Sequence, residues 1–417
     1  MDFQKLIPIL GFSAFILVID LYAFQAFKLL FADSYLRKWL SWAYWGFTIF
    51  ALISFTYLRL AGQANVSRLV LLFVFASFFI IYLSKVIVSI FLLLEDGGRG
   101  AVSLFSWLKS KVVDGAVPYS PGRSATLSKI AIGVAAVPFF SLLYGMVKGA
   151  YRYQVRRVNL QFSNLPKSFE GLKIVQISDV HSGSFYDKQA VERGIQMILD
   201  QKPDMVFFTG DLVNNQAVEF EDYKALFGRI KAPLGVYSVL GNHDYGDYVY
   251  WPTPEAKKQN LDQLKTHHAD IGWRLLMDEN VSIEKGGESI GVIGIQNWGA
   301  KGRFPKYGNL AKAYEGSEKQ PVKLLLSHDP SHWEAEVIPK FPAIDAMFAG
   351  HTHGMQFGIE IPGLKWSPVQ YMYKQWAGLY ESGSQKLYVN RGFGFIGYPG
   401  RVGIWPEISV FTLSGSA

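Results

Sequence analysis

Four apolar stretches, at about residues 6–31, 39–60, 69–94 and 130–147, constrain this chain more than anything else in it. Each reaches the roughly 17–25 residues that a helix needs to cross a bilayer core. A segment in lipid finds no water for its N–H and C=O groups, so these runs are expected to be helices. None carries the polar face of a helix on a soluble domain. The first is too long for a signal peptide, and no small-residue cleavage site follows it. Trp39, Trp42, Trp45 and Tyr57 gather toward the ends of the runs, as interfacial aromatics do.

Two charges fall inside these runs. Asp20 and Lys85 lie at similar depths in the first and third, which run in the same direction. Either charge alone is costly in lipid, so the two are expected to pair. The other possibility is that Lys85 snorkels and Asp20 is protonated. Between the third and fourth runs, Leu104, Phe105, Leu108 and Val112 recur at helical spacing beside Lys109 and Lys111. That pattern fits a helix lying in the membrane interface, or a plain loop.

An even number of spans puts the N-terminus and everything after the fourth run on one side. The flanking lysines and arginines nearly tie, so the positive-inside rule gives little asymmetry. The basic cluster from Lys148 to Arg157 tilts the reading toward a cytoplasmic second half; Arg123 and Lys129 argue the other way. The expected location is a bacterial inner membrane, crossed several times, with the phospholipid bilayer as a partner.

The rest of the 417-residue chain reads as a folded domain outside the bilayer. Its expected organisation is 1–151 as the membrane region, 152–171 as a linker with a first strand, and 172–417 as a separate α/β domain. There is no cysteine, which excludes disulfides, zinc-thiolate sites and cysteine nucleophiles. Net charge is +7, which suits a membrane surface or an anionic substrate. No basic and aromatic strand-tracking pattern points to nucleic acid.

From residue 158 onward short apolar runs alternate with loops and amphipathic segments. Strands are expected at 172–178, 205–209, 235–240, 289–295, 323–326 and 346–349, with a helix at 188–200 capped by Asp187. Five polar blocks follow the ends of these strands: Ser178-Asp179-Val180-His181, Gly210-Asp211, Gly241-Asn242-His243-Asp244, Ser327-His328-Asp329 and Gly350-His351-Thr352-His353. Loops at strand ends place ligands on a rigid sheet. The blocks hold enough oxygen and nitrogen donors for two divalent cations sharing one carboxylate, an arrangement that clamps a phosphate and activates a water. Each block alone is an ordinary turn; five in sequence are not. Five of the eight histidines fall in them, and His267, His268 and His332 read as solvated or supporting residues.

In order and spacing, the five blocks resemble those of the calcineurin-like metallophosphoesterase superfamily, over about 172–413. A membrane region followed by such a domain resembles a bacterial transmembrane branch, related to UDP-2,3-diacylglucosamine pyrophosphatases. The resemblance implies a four-layer α/β/β/α sandwich, two mixed sheets face to face with helices outside. It implies that Asp179, His181 and His353 bind a first metal, that Asn242, His328 and His351 bind a second, and that Asp211 bridges them. Donors of this kind without thiolate suit manganese, iron or zinc. His243 is expected to act as an acid toward the phosphoryl oxygen or leaving group, with Asp244 holding its ring.

Gly183 and Asn214 follow ligand blocks and are expected to shape a phosphate pocket. Arg391 and Arg401 bracket an aromatic-glycine segment, and either is a candidate for gripping substrate phosphate. That segment and residues 364–373 suit either an acyl-chain groove or ordinary core. The leading expectation is a lipid-linked substrate with a phosphodiester or pyrophosphate bond, UDP-2,3-diacylglucosamine being the specific candidate. Soluble diacylglucosamine pyrophosphatases carry arginine where this chain has His243, which keeps a simpler phosphodiester or a phosphomonoester open. A phosphoprotein phosphatase and a non-catalytic metal-binding membrane sensor are the alternatives.

Overall fold

The structure, a computed structural model, describes residues 3–61, 66–113, 117–119, 121–302 and 304–415. The chain divides into two compact units, Met1–Tyr144 and Gly145–Ala417.

The first unit is four helices, α1 (Phe3–Leu30), α2 (Arg37–Ala61), α3 (Arg68–Val112) and α4 (Ala125–Tyr144). Each contains a stretch long and apolar enough to cross a membrane. Between lipid-solvated helices the apolar effect is weak, so close approach of small residues matters more. Ala23 and Ala26 of α1 meet Val88 and Leu92 of α3 and Ala131 and Ala135 of α4. The expected charge pair forms: the Lys85 ammonium donates to Asp20 Oδ1. Asp20 Oδ2 accepts from the hydroxyls of Thr48 at 2.9 Å and Tyr82 at 3.0 Å, so the buried carboxylate is satisfied on both oxygens.

Residues 101–111 correct the sequence reading. They are not a separate interfacial helix but the end of α3, which continues unbroken for 45 residues. A glycine costs a helix only about 1 kcal/mol, so Gly97, Gly98 and Gly100 do not break it. Asp96 carries ion pairs to Arg99 at 3.0 Å and to Arg123 at 2.7 Å, which fasten this part of the helix.

The second unit contains fourteen strands among its described residues. They are β1 (Gln154–Phe162), β2 (Lys173–Ile177), β3 (Met205–Phe208), β4 (Val236–Ser238), β5 (Arg274–Leu275), β6 (Glu279–Lys285), β7 (Glu288–Gly294), β8 (Lys323–Leu326), β9 (Ala346–Ala349), β10 (Ile359–Ile361), β11 (Leu364–Trp366), β12 (Gly378–Ser382), β13 (Gln385–Val389) and β14 (Glu407–Gly415). One six-stranded sheet runs β1-β14-β2-β3-β4-β5 and the other β12-β13-β9-β8-β7-β6, with β10-β11 a small ribbon apart. Strands β2 to β5 are mutually parallel, as are β7, β8, β9 and β13. β14 is antiparallel to β2, and β6 and β12 are antiparallel edges. Both sheets are therefore mixed.

The period of two along a strand explains how the layers stack. Phe207 of β3, Leu324 and Leu326 of β8 and Phe348 of β9 point between the sheets, where they meet Ile174 and Phe411. Their neighbours Leu325 and Met347 point the other way, onto Trp333, Val337 and Leu310. Phe208 faces outward from the first sheet and packs on Trp273 and His268. The helices α5 (Lys188–Leu199), α6 (Glu221–Phe227) and α7 (Pro254–Asp270) belong to that outer layer. Asp187 caps α5 by accepting from the Ala190 N–H at 2.9 Å, and Ala190, Val191, Ile195 and Ile198 form its buried face. The result is the four-layer α/β/β/α sandwich, with helices outside two facing sheets.

Candidate metal centre

The parallel strands end on the same side, and their loops carry the polar blocks. β2 leads to Asp179 and His181, β3 to Asp211, β4 to Asn242 and His243, β8 to His328, and β9 to His351 and His353. The loops stay tied where the strands stop. The Asp179 N–H donates to the Gly210 carbonyl at 2.8 Å, His181 N–H to Asp211 at 3.0 Å, and Gly350 N–H to His328 at 2.9 Å. Reversing direction so soon after a strand forces unusual backbone. Asp179, His181, Asp211, His351 and His353 all have left-handed φ, between 47° and 70°. Such conformations are uncommon for residues other than glycine and concentrate at functional sites.

Two donor clusters result. Asp179, His181 and His353 form one, and Asp211, His328 and His351 the other; within each, the ligand atoms lie within 4.8 Å of one another. Asp211 touches both, its Oδ2 standing 3.1 Å from His328 Nε2 and 3.5 Å from His181 Nε2. His181 and His353 face each other through their Nε2 atoms at 3.0 Å, and Asp179 Oδ1 is 3.2 Å from the latter. Asn242 is buried, and its Oδ1 has no hydrogen-bond partner among the described residues. A buried amide oxygen left bare beside carboxylates and imidazoles fits a cation as the missing partner. The donors present thus suit divalent metal ions.

Supporting bonds fix how each ring is turned. His328 Nδ1 donates to the Thr209 carbonyl at 2.7 Å, which aims Nε2 at Asp211. His351 Nδ1 faces His328 Nε2 at 3.3 Å, while its Nε2 meets the Tyr373 hydroxyl at 2.9 Å. The two aspartates also accept backbone N–H groups from other ligand loops: His243 N–H to Asp211 Oδ1 at 2.9 Å, His351 N–H to Asp179 at 3.0 Å. The second bond ties the two sheets together at the site.

Burial and mutual charge set the protonation states. Burial opposes ionisation of Asp179 and Asp211, yet the surrounding imidazoles hold both below the usual carboxylate range. Burial pushes His181, His351 and His353 down, so they stay neutral and keep lone pairs for a metal. His328 differs: burial works against its charge, but Asp211 pulls it up to about 10. A cation taking that nitrogen must displace its proton.

Three expectations are corrected here. Asp244 does not hold the His243 ring; its carboxylate is consumed by the N–H groups of Asp211, Leu212, Val213 and Gly241, at 2.8–3.3 Å. The His243 ring is held instead by Nδ1 donating to the Asn214 carbonyl at 2.7 Å. Neither arginine is available to a phosphate. Arg391 is buried between Glu360 and Glu407, which compensate its charge. Arg401 is fully buried, bonding the carbonyls of Gly392 and Gly394 and donating to His353 Nδ1 at 3.1 Å. Burial pushes its guanidinium down to about 9. Third, of the two readings open for His267, His268 and His332, solvated or supporting, the solvated one falls, since all three are buried.

The aromatic-glycine segment is core, with Phe393 and Phe395 fully buried. Tyr371 and Met372, by contrast, are exposed. Gly183 is buried, and Asn214 serves the site through its carbonyl. Sequence reasoning missed Tyr373 and Tyr248, which bond His351 and Asn242 respectively. Their aromatic rings on otherwise irregular segments were the only available signal.

A cluster of this composition, at one end of a two-sheet α/β sandwich, belongs to a metal-dependent hydrolase of phosphoric ester or anhydride bonds. Comparison with known proteins agrees. The family described as calcineurin-like phosphoesterase matches residues 172–355, and that described as probable calcineurin-like phosphoesterase, transmembrane domain, matches residues 4–150. The uncharacterized metallophosphoesterase YkuE of Bacillus subtilis is 30% identical over 262 residues, 62% of this chain and 84% of that protein. A transmembrane protein with metallophosphoesterase domain from Danio rerio is 29% identical over 311 residues, covering 73% of this chain and 66% of the relative. The UDP-2,3-diacylglucosamine pyrophosphatase LpxG of Chlamydia trachomatis is 28% identical over 326 residues, 66% of this chain and 92% of that one. The chain belongs to the calcineurin-like phosphoesterases, with a four-helix membrane unit ahead of its hydrolase unit.

Proposed function

We propose that this protein is a dinuclear-metal phosphoesterase that hydrolyses a phosphodiester or pyrophosphate bond in a lipid-linked substrate such as UDP-2,3-diacylglucosamine. The observation that carries the reading is Asp211, one carboxylate within 3.5 Å of imidazoles from both donor clusters. Asp179, His181 and His353 would hold one ion; His328, His351 and Asn242 would hold the other, with Asp211 between. Manganese, iron or zinc suits these donors. Bound there, a pair of divalent ions supplies Lewis acidity for the phosphoryl group and lowers the pKa of a water.

The chain's own residues do the rest. Backbone bonds from the His243 and His351 amides hold the two aspartates in place before substrate arrives. Asn214 fixes His243 with its proton on Nδ1, leaving Nε2 to exchange a proton with the phosphoryl or leaving-group oxygen. Its ring lies 5.0 Å from that of His181, within reach of a group held at the clusters. The membrane unit keeps the enzyme among lipid head groups, which supports a lipid-linked substrate, and the similarity to LpxG points the same way. We place the protein in a bacterial inner membrane, its hydrolase unit on the cytoplasmic side; the basic cluster from Lys148 to Arg157 supports this, and a C-terminal reporter fusion tests it.

One observation favours a second reading. A histidine at 243, where soluble diacylglucosamine pyrophosphatases carry arginine, suits a simpler phosphodiester. Purified protein, loaded with manganese and offered a lipid-extract panel, separates the two by mass spectrometry. Release of a nucleoside monophosphate from the nucleotide-linked glycolipid supports the first reading. Turnover of only simple phosphodiesters supports the second. Absence of any turnover, with a chromogenic phosphodiester included, would overturn both.

A further inference from the structure

A side-chain amide has two ends, and only its oxygen can bind a cation. Asn242 is therefore useful to a metal only if something turns its nitrogen away. In the structure that partner is Tyr248: Asn242 Nδ2 donates to the Tyr248 hydroxyl at 2.9 Å, while Oδ1 stays buried with no partner among the described residues. The Tyr248 ring also lies against the His243 ring, centroids 4.7 Å apart. One residue thus touches both neighbours, 242 and 243.

Tyr248 is itself held. Asp247 beside it pairs with the Lys257 ammonium and accepts from the Tyr307 hydroxyl at 2.9 Å. Trp251 Nε1 donates to the Gly246 carbonyl at 2.7 Å on the other flank. Tyr307 stacks on Tyr245 with centroids 3.9 Å apart, which braces the segment from a third side. These contacts brace the segment that carries Tyr248, so the ring and hydroxyl are presented to the smaller amide from a fixed backbone. The residue is 44% exposed, so core packing does not account for where it sits.

We propose that Tyr248 is a positioning residue of the metal centre: its hydroxyl fixes the amide of Asn242 with the oxygen toward the cation, and its ring braces His243. The inference rests on Asn242 being a metal ligand, as read above. It adds a residue for which neither the sequence pattern nor the comparisons give a role.

The test uses metal-stripped full-length protein in detergent and three variants, Tyr248→Phe, Tyr248→Leu and Asn242→Ala, titrated calorimetrically with manganese. Partners that orient a ligand typically change metal affinity by about 10–100-fold. Tyr248→Phe is expected to lose about that much at one of the two ions and to keep the other. Its kcat should return at saturating manganese, because the ring against His243 remains. Tyr248→Leu should lose the same affinity without regaining kcat. Two ions bound by Tyr248→Phe as tightly as by wild type would overturn the positioning role. So would a loss of both ions together, which marks general damage. If Asn242→Ala also binds both ions normally, the assignment of Asn242 as a ligand fails as well. If Asn242→Ala alone is impaired, only the role of Tyr248 falls.

Discussion

Asp244 grips Asp211 by its backbone: the Asp244 Oδ2 accepts the Asp211 N–H at 2.9 Å, and Oδ1 accepts the next amide, of Leu212, at 2.8 Å. The carboxylate that one would pair with His243 thus builds the loop that presents Asp211, which lies near imidazoles of both donor clusters. Burial, and then the charge of Asp211, pushes its acid up to about 7. Asp244→Ala leaves at least two buried donors unmatched, at about 1–3 kcal/mol each. The expected outcome is a loss of ~3–5 kcal/mol in unfolding free energy together with poor metal retention. A variant that melts like wild type and fails only in turnover would restore Asp244 to a role on His243.

Gly350 precedes His351 and has no room for a side chain. A Cβ there would stand 2.0 Å from Ser178 Oγ and 2.2 Å from Asp179 Oδ2. Contacts that short must displace the aspartate, since the Gly350 backbone is fixed by its bond to His328. Gly350→Ala is expected to lower metal content, most at the cluster of Asp179, His181 and His353, and turnover at least tenfold. Metal analysis and kcat on one preparation check this. Two full equivalents of metal with unchanged kcat would show that the loop yields freely.

In the membrane unit, the Asp20–Lys85 pair invites a double-mutant cycle. Breaking a buried pair by removing one partner typically costs about 3–5 kcal/mol, because the other charge stays behind. Asp20→Asn and Lys85→Met are each expected to be strongly destabilising in detergent unfolding. The double variant should recover much of the loss, helped by the Thr48 and Tyr82 hydroxyls, which an amide can still bond. Additive single effects would mean that the two charges do not support each other.

Much of this architecture was legible in the sequence because it depends on residue type. The apolar runs of β8 and β9 start and stop where the pattern says, and the polar blocks after them meet in space. What escaped depends on groups that carry no residue signature. The partner of His243 is a backbone carbonyl, that of Asn214, and any residue could supply it. Tyr373 reaches His351 from 22 positions away, on a segment without periodicity. Arg391 and Arg401 read either as phosphate grips or as solvated arginines on a tight turn, because a guanidinium can hold a phosphate through two bonds. The carboxylate partners of Arg391, Glu360 and Glu407, lie on other strands, and the partner of Arg401 within the segment is a backbone carbonyl, that of Gly394, which carries no residue signature. The continuation of α3 past residue 94 escaped for a related reason, since the ion pair from Asp96 to Arg123 cannot be seen in the local pattern.

The buried His268 predicts how stability depends on pH. Its Nδ1 contacts the Ser238 hydroxyl at 3.0 Å, and burial, followed by the charge of His267, lowers its pKa from 6.5 to about 3. The folded ring therefore stays neutral where the unfolded one takes up a proton. Its contribution to stability is complete above about pH 6.5 and declines as the pH falls toward 3, because the unfolded chain binds the extra proton. Between about pH 7.5 and about pH 5 the loss from this one group is ~2 kcal/mol. His268→Asn keeps a polar atom for Ser238 and removes the titration. Its unfolding free energy, measured against pH, should fall less steeply than that of the wild type by that amount. Parallel curves for the two proteins would mean that His268 is not held neutral in the fold.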